Sequence, residues 1–172
     1  MPTSTDTDID DEVVALLIAQ HRRLERLLLT LVEAATPEER AELLARAGDE
    51  LAVHLLAEED IVYPRVHAGR TEDILLESLE EHLSLKRLLA DLLALAPDDT
   101  TFQPKCKVLE EQARHHHKEE EEHLFPTMRV LLDGEARRAM GQAVCRHEAQ
   151  LRAGSAPRER MGEQTDAAAP LR

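Results

Sequence analysis

Two stretches of this chain repeat the same pattern of potential metal ligands. One begins at His54 and the other at His116, and each has a glutamate four residues later and an aromatic-proline pair at its end. In a helix, residues four apart lie on one face, with Cβ atoms roughly 5–6 Å apart. The pairs His54 with Glu58 and His116 with Glu120 therefore each direct an imidazole and a carboxylate to one point. This arrangement commonly binds a first-row metal ion inside a helical bundle.

A further histidine precedes each stretch at almost the same distance. His21 lies 33 residues before His54, and His82 lies 34 residues before His116. The whole pattern thus recurs after 61 to 62 residues, which is twice the length of a helix and its loop. Two helical hairpins related by a pseudo-twofold axis would bring all four imidazoles together.

The composition predicts one acidic, helical domain. Among 172 residues, 2% are aromatic and six are glycine, while 35 acidic and 21 basic residues give a net charge of −14. Such acidity argues against nucleic-acid binding, which needs a cationic surface. No apolar run reaches the ~18 residues of a membrane span, and the N-terminus is too polar for a signal peptide. Two cysteines are too few for a disulfide framework, so we expect a cytoplasmic protein with no membrane partner.

The hydrophobic periodicity predicts an all-α fold, an up-down-up-down antiparallel four-helix bundle with a short C-terminal fifth helix. Four long segments have apolar residues at alternating spacings of three and four, and each carries one of the four histidines within its apolar seam. Residues 10–152 are expected to form the bundle. Residues 1–9 and the tail, residues 153–172, have no such periodicity and are expected to be disordered.

Two glutamates on apolar seams need an explanation, because a buried carboxylate costs several kcal/mol unless it is paired or bound to metal. Two iron ions held by four imidazoles and two bridging carboxylates would keep about four positions for oxo, hydroxide, water or substrate. A single tetrahedral zinc ion would leave several of these groups unused. The alternative is a metal-free interaction bundle in which Glu58 and Glu120 pair with protonated histidines. Replacing His54 and His116 together by Leu would then be neutral or stabilising.

The pattern resembles the hemerythrin-like HHE cation-binding domains, whose signature is H…HxxxE…H…HxxxE. The match covers roughly residues 10–130 and includes the aromatic-proline endings. The resemblance implies a four-helix bundle with a non-haem di-iron centre, two Fe ions with an oxo or hydroxo bridge, that reacts with O2, H2O2 (peroxide) or NO. The metal ligands that it implies are His21, His54, Glu58, His82, His116 and Glu120.

The chain departs from the oxygen-carrying members of that family at two positions. Those members have a second histidine four residues after the third-helix histidine, where this chain has Lys86. Their last acidic ligand lies five residues after its histidine, which corresponds here to Glu121. Without a fifth imidazole, the resemblance favours peroxide or NO chemistry over reversible O2 carriage. The alternative is a sensor or storage module without turnover. The sequence predicts metal binding, and the protein counts as an enzyme only if turnover is shown.

Several neighbouring residues are candidates for further roles. Glu25 and Lys86 each lie four residues after a lone histidine, so we expect an ion pair between them across the site, or Glu25 as a seventh ligand. His115 and His117 flank His116 and are expected to face solvent, although a rotated helix would bring one of them into its place. Additional ligands or hydrogen-bonding partners are expected among Tyr63, Glu121 and His123.

Overall fold

The computed structural model describes residues 12–154 and 156–172, and this part of the chain is helical and contains no strand. The predicted all-α bundle is confirmed. Seven α-helices occur in the described chain: α1 Glu12–Glu33, α2 Pro37–Ala57, α3 Tyr63–Val66, α4 Glu72–Ala94, α5 Phe102–Glu119, α6 Phe125–Leu131 and α7 Gly134–Ala153. A π-helical segment, Glu58–Val62, joins α2 to α3, and a second, Glu120–Leu124, joins α5 to α6. A 3₁₀ helix spans Pro157–Gln164.

The helix starts follow local sequence signals. At α2 the Thr36 side chain accepts a hydrogen bond from the Glu39 amide, and the Glu39 carboxylate accepts one from the Thr36 amide. At α7 the Asp133 carboxylate accepts a hydrogen bond from the Ala136 amide. Such caps each contribute about 1 kcal/mol by satisfying amides that lack a partner within the helix.

The hydrophobic core consists of two clusters separated by a polar layer. On α1, Leu17 belongs to one cluster and Leu24 to the other, and His21 lies between them. Helix α4 repeats this order around His82. The four long helices therefore all pass through one polar layer near mid-length, as the antiparallel arrangement predicts.

The long helices pack against neighbours that are both near and far in sequence. Helix α1 packs against α2 and α5, α4 packs against α5, and the predicted fifth helix, α7, packs against α1 and α2. No helix in the described part of the chain is long and apolar enough to cross a membrane.

The predicted disorder of the tail, residues 153–172, does not hold for the described residues Pro157–Gln164, which form the 3₁₀ helix. The 3₁₀ helix packs on α2 and α4, and Met161 is fully buried in the same apolar cluster as Leu51 and Leu89. Arg158 also pairs with Asp49 at 2.6 Å. This short helix buries only Pro157 and Met161, which are too few apolar residues to show periodicity in the sequence. The predicted disorder of residues 1–9 lies outside the described residues.

Candidate metal centre

Seven fully buried polar side chains converge in the layer between the two apolar clusters. Each exposes 2% or less of its surface. Six of them are the ligands expected from the sequence, and the seventh is His117. The seven are His21, His54, Glu58, His82, His116, His117 and Glu120.

The two glutamates lie between imidazoles of opposite halves of the layer. Glu58 Oε1 is 3.3 Å from Nε2 of His54, and its Oε2 is 3.3 Å from Nε2 of His82. Glu120 Oε2 is 3.3 Å from Nε2 of His21 and 3.6 Å from Nε2 of His116. Each carboxylate therefore occupies a position from which it could bridge two metal ions.

The imidazoles fall into two groups, each compact enough to hold one metal ion. His21, His54 and His117 form the three-imidazole group, in which the ligand atoms lie within 4.8 Å of one another. The two-imidazole group, His82 and His116, meets the same criterion together with Glu58. The two groups share the carboxylates, so they belong to one centre.

Several of the converging atoms are buried without a hydrogen-bond partner. They include the inward Nε2 atoms of the whole three-imidazole group and one oxygen from each carboxylate, Glu58 Oε1 and Glu120 Oε2. A buried polar atom without a partner typically costs about 1–3 kcal/mol. Most buried polar atoms in proteins are paired, so such atoms clustered around one point fit a metal ion.

Every imidazole in the centre is held from outside through its Nδ1 atom. A hydrogen bond there keeps the proton on Nδ1 and leaves the Nε2 lone pair free for a metal. The five contacts are His21 with Glu121 at 2.8 Å, His54 with Gln20 at 2.9 Å, His82 with Glu59 at 2.9 Å, His116 with Glu81 at 2.7 Å and His117 with Glu25 at 3.2 Å.

Four of these outer contacts obey the internal repeat. The residue after each motif glutamate, Glu121 or Glu59, holds the lone histidine of the other hairpin. The residue before each lone histidine, Gln20 or Glu81, holds the motif histidine. Glu121 was among the partners expected from the sequence, whereas Gln20, Glu59 and Glu81 were not, although the alignment of the two repeats contained the signal.

The repeat is broken at two aligned positions inside the layer. Where the second repeat has His117, the first has Leu55. Where the second repeat ends in Phe125, the first ends in Tyr63. The Phe125 ring stacks on His21 with centroids 5.6 Å apart.

The Tyr63 hydroxyl lies inside the two-imidazole group. It donates a hydrogen bond to Glu120 Oε1 at 2.8 Å and lies 3.0 Å from Nε2 of His82. Glu58 Oε2 is 3.5 Å away. Burial, together with the charge of Glu120, raises the pKa of Tyr63 well above its usual value, so the hydroxyl keeps its proton.

Other candidates from the sequence occupy different places. Glu25 and Lys86 do not pair with each other among the described contacts, because Glu25 accepts from His117 and Lys86 donates to Glu59 at 2.8 Å. The expected solvent exposure of His117 is wrong, since its side chain is fully buried.

The remaining histidines near the site lie on the surface. The His123 side chain is 56% exposed, and its ring lies 3.4 Å from Glu119 rather than in the layer. The His115 side chain is 64% exposed, as expected. The fifth imidazole therefore comes from the residue after His116.

Both motif glutamates are the first residues of π-helical segments. The amide of Tyr63 donates to the Glu58 carbonyl, and the amide of Phe125 donates to the Glu120 carbonyl, which are the five-residue bonds of a π-helix. Proline follows each of these aromatic residues and has no amide hydrogen to donate. Proline inside a helix ordinarily kinks or ends it, whereas here a widened turn carries each helix past its proline. Single π turns often occur at functional sites.

The charges around the layer match two divalent ions. The two central glutamates and four outer ones, Glu25, Glu59, Glu81 and Glu121, give six negative charges. Arg22, which contacts Glu25 and Glu121, and Lys86 supply two positive charges. With neutral imidazoles, these eight groups have a net charge of −4, which two divalent cations would cancel.

Without metal, the imidazoles differ in protonation. Burial alone would lower their pKa values, but Glu120 and Glu58 raise the pKa of His21 to about 9 and that of His116 to about 10. Glu58 and Glu59 also raise the pKa of His82 despite its burial. Burial prevails at the other two, lowering the pKa of His117 to about 4 and that of His54 well below its usual range. Protonated histidines therefore compensate part of the negative charge when no metal is bound.

Comparison with known proteins agrees with this arrangement. The model of the hemerythrin HHE cation-binding domain matches residues 12–128. A relative described as a DNA nickase, from Nostoc sp. (strain PCC 7120 / SAG 25.82 / UTEX 2576), is 27% identical over 126 residues. Those residues are 73% of this chain but 36% of the relative, so the chain spans about a third of that protein. No solved structure matches the chain.

Proposed function

Because this chain belongs to the hemerythrin HHE cation-binding domain family, we propose that it is a non-haem di-iron protein. It binds two iron ions in the polar layer and reacts there with O2, H2O2 or NO. The observation that carries this proposal is the convergence of five inward imidazole nitrogens on two carboxylates, with most of these atoms buried and unpaired. Nitrogen and oxygen donors in one site, with positions to spare, suit iron.

The ligand count supports two unequal ions. The three-imidazole group with both carboxylates supplies about five bonds, and the two-imidazole group with the same carboxylates supplies about four. A solvent-derived bridge would add one bond to each ion. Two ions with about six positions each would then have one free position, on the two-imidazole side. That free position is where the small molecule would bind.

The chain's own residues prepare that side for a proton transfer. When bound, iron would supply the electrons for reduction of the small molecule. Tyr63 holds a proton on its hydroxyl, 3.0 Å from Nε2 of His82, and so lies in the half of the layer that offers fewer imidazoles. Lys86, the other candidate near the layer, instead donates to Glu59 and Gln164 outside the layer. Tyr63 is therefore the proton donor in this proposal.

We do not propose for this chain the activity that the name of the Nostoc relative states. That protein is about three times as long as the matched segment, so its activity does not follow from the matched residues. A net charge of −14 also opposes binding to phosphate backbones. The absence of nucleic-acid binding stays a prediction, which a filter-binding assay with nicked and intact plasmid at low salt would test.

Anaerobic titration of the metal-free full chain with ferrous iron tests the proposal. About two irons per chain, followed by near-ultraviolet charge-transfer bands in air, would support a di-iron centre. Stopped-flow mixing with O2, H2O2 or NO in turn would identify the small molecule by the fastest spectral change. Stable binding with no turnover would favour sensing or storage. Absence of iron uptake would overturn the proposal and leave the metal-free interaction bundle.

A further inference from the structure

The repeat is also broken at two positions outside the layer, and both contact the C-terminal region, defined here as residues 134–154 and 156–172. Gln20 occupies the place that Glu81 has in the other half, and Lys86 occupies the place of Glu25. The Gln20 amide donates to Glu148 of α7 at 2.8 Å. The Lys86 ammonium donates to Gln164 of the 3₁₀ helix at 2.8 Å.

These contacts require the residue types that break the repeat. A carboxylate at position 20 would meet the carboxylate of Glu148, whereas the amide of Gln20 can accept from His54 and donate to Glu148 at once. A carboxylate at position 86 would meet Glu59, whereas the ammonium of Lys86 donates to both Glu59 and Gln164. In both halves the exchanged residue connects a ligand imidazole to the C-terminal region.

We propose that the C-terminal region positions one imidazole in each half of the metal centre through two hydrogen-bonded chains, an inference that rests on the proposed function. The first chain runs from Glu148 through Gln20 to His54. The second chain runs from Gln164 through Lys86 and Glu59 to His82. The family match ends at residue 128, so both chains start outside it.

The packing of the C-terminal region is tight enough for this role. Met161 is fully buried against the bundle. At Gly48 a side chain would come within 3.2 Å of Leu89 and 3.3 Å of Arg158, so the absence of one lets the 3₁₀ helix approach α2 closely. Lys86 is itself only 2% exposed, so its ammonium depends on Glu59 and Gln164 for hydrogen bonds. Residues in such a chain hold a ligand ring in one orientation and tautomer.

Proton NMR of the cobalt(II)-loaded full chain tests the proposal, because each metal-bound imidazole gives a strongly shifted, exchangeable Nδ1–H signal. We expect five such signals in the unaltered chain. Gln164→Leu should shift the His82 signal and accelerate its exchange with water about 10-fold while the other four stay unchanged. Glu148→Leu should do the same to the His54 signal alone.

Matched variants separate positioning from general stability. Glu163→Leu and Gln150→Leu also replace a polar residue by leucine, but at exposed positions near Gln164 and Glu148. They should leave all five signals unchanged. Gln164→Glu and Glu148→Gln keep a hydrogen-bonding group and should restore slow exchange. These conservative variants keep the proposal testable if either leucine variant fails to fold.

Two results would overturn the proposal in different ways. If the leucine variants bind cobalt and change none of the five signals, or change all of them equally, the positioning chains do not exist and the metal centre stands. If the unaltered chain shows no shifted imidazole signal with cobalt, the metal centre itself fails and the positioning role fails with it.

Discussion

The two halves of the polar layer come from one repeated motif, yet they differ in the groups they offer to a metal. The three-imidazole group includes His117, which stacks on His21 with ring centroids 4.0 Å apart. The two-imidazole group has no counterpart of His117 but includes the Tyr63 hydroxyl. One half therefore has three imidazoles, and the other has two imidazoles and a buried hydroxyl group.

The exchange of groups between the repeats explains how this difference arises. His117 belongs to the second motif but joins His21 and His54 on the other side of the layer. Tyr63 belongs to the first motif but contacts His82 and Glu120. Two differences between the repeats thus suffice to make the two groups of imidazoles unequal. The two motif glutamates occupy equivalent positions in both repeats.

Loss of the carboxylate that the two groups share should weaken the binding of both metal ions at once. In Glu58→Gln the neutral amide can no longer bridge His54 and His82, which both lie 3.3 Å from its oxygens. We expect the affinity for both ions to fall by more than about 100-fold, above the usual loss for an outer partner. Competition with a chelator measures this. The exposed Glu122→Gln is the control, and two tightly bound ions in Glu58→Gln would contradict a shared bridge.

The number of protons released on metal binding should also differ between the two groups of imidazoles. His21 keeps its proton up to a pKa of about 9 and His116 up to about 10, and the pKa of His82 is also raised, whereas His54 and His117 are neutral. At pH 7 metal must displace a proton from His21 in one group and from His116 in the other, and the raised pKa of His82 adds to the release on the two-imidazole side.

Affinity therefore rises with pH, about 10-fold per unit for the ion of the three-imidazole group and more steeply for the other ion, until the pH passes these raised pKa values. Calorimetry of zinc binding in buffers of different ionisation enthalpy counts the released protons. Equal proton release for the two ions would contradict the assignment of charge to the two halves.

Replacing the extra imidazole should affect one half only. In His117→Leu the three-imidazole group loses a buried ligand, and one of the two ions should bind about 10–100-fold more weakly. His115→Leu, at the exposed neighbouring position, should bind both ions normally. Stepwise cobalt titration followed by visible absorption measures both affinities. Two unchanged affinities in His117→Leu would leave His117 with a packing role.

The smallest effect is expected from Tyr63→Phe. The buried Glu120 loses a hydrogen-bond donor, so the metal-free protein should lose about 1–3 kcal/mol of unfolding free energy. Metal content should stay at two ions, while the reaction with the small molecule slows. Urea unfolding and stopped-flow absorption measure the two effects. An unchanged reaction rate would remove Tyr63 from its proposed role.

The fold and the six expected ligand positions were accessible from the sequence, because apolar periodicity and the doubled His–Glu spacing are properties of local segments. His117 was not, because His115, His116 and His117 point in three directions and only the rotation of α5 decides which two are buried. That rotation depends on packing against α1 and α4, which no local pattern encodes.

The residues that contact the imidazoles through Nδ1 could be predicted from the sequence only in part. Glu121 was expected as an additional ligand or hydrogen-bonding partner, and applying the repeat to it would have identified Glu59, which occupies the same position in the other half. Glu148 and Gln164 have no repeat partner, and their contacts span 128 and 78 residues of sequence. Long-range contacts of this kind become visible only when the helices are placed together.

The π-helical turns have a consequence for recognising or engineering such sites. Each turn places five residues where an α-helix would place four, so it acts as a one-residue insertion between the motif glutamate and the aromatic residue. Deleting Asp60 would restore a regular α-helix at that place. It would leave Tyr63 on nearly the same face of the helix, because five residues of a π turn and four residues of an α-helix both advance the chain by slightly more than one turn. A sequence search that assumes regular α-helical spacing would therefore place Tyr63 about 100° away from the layer, whereas the widened turn brings its hydroxyl to His82.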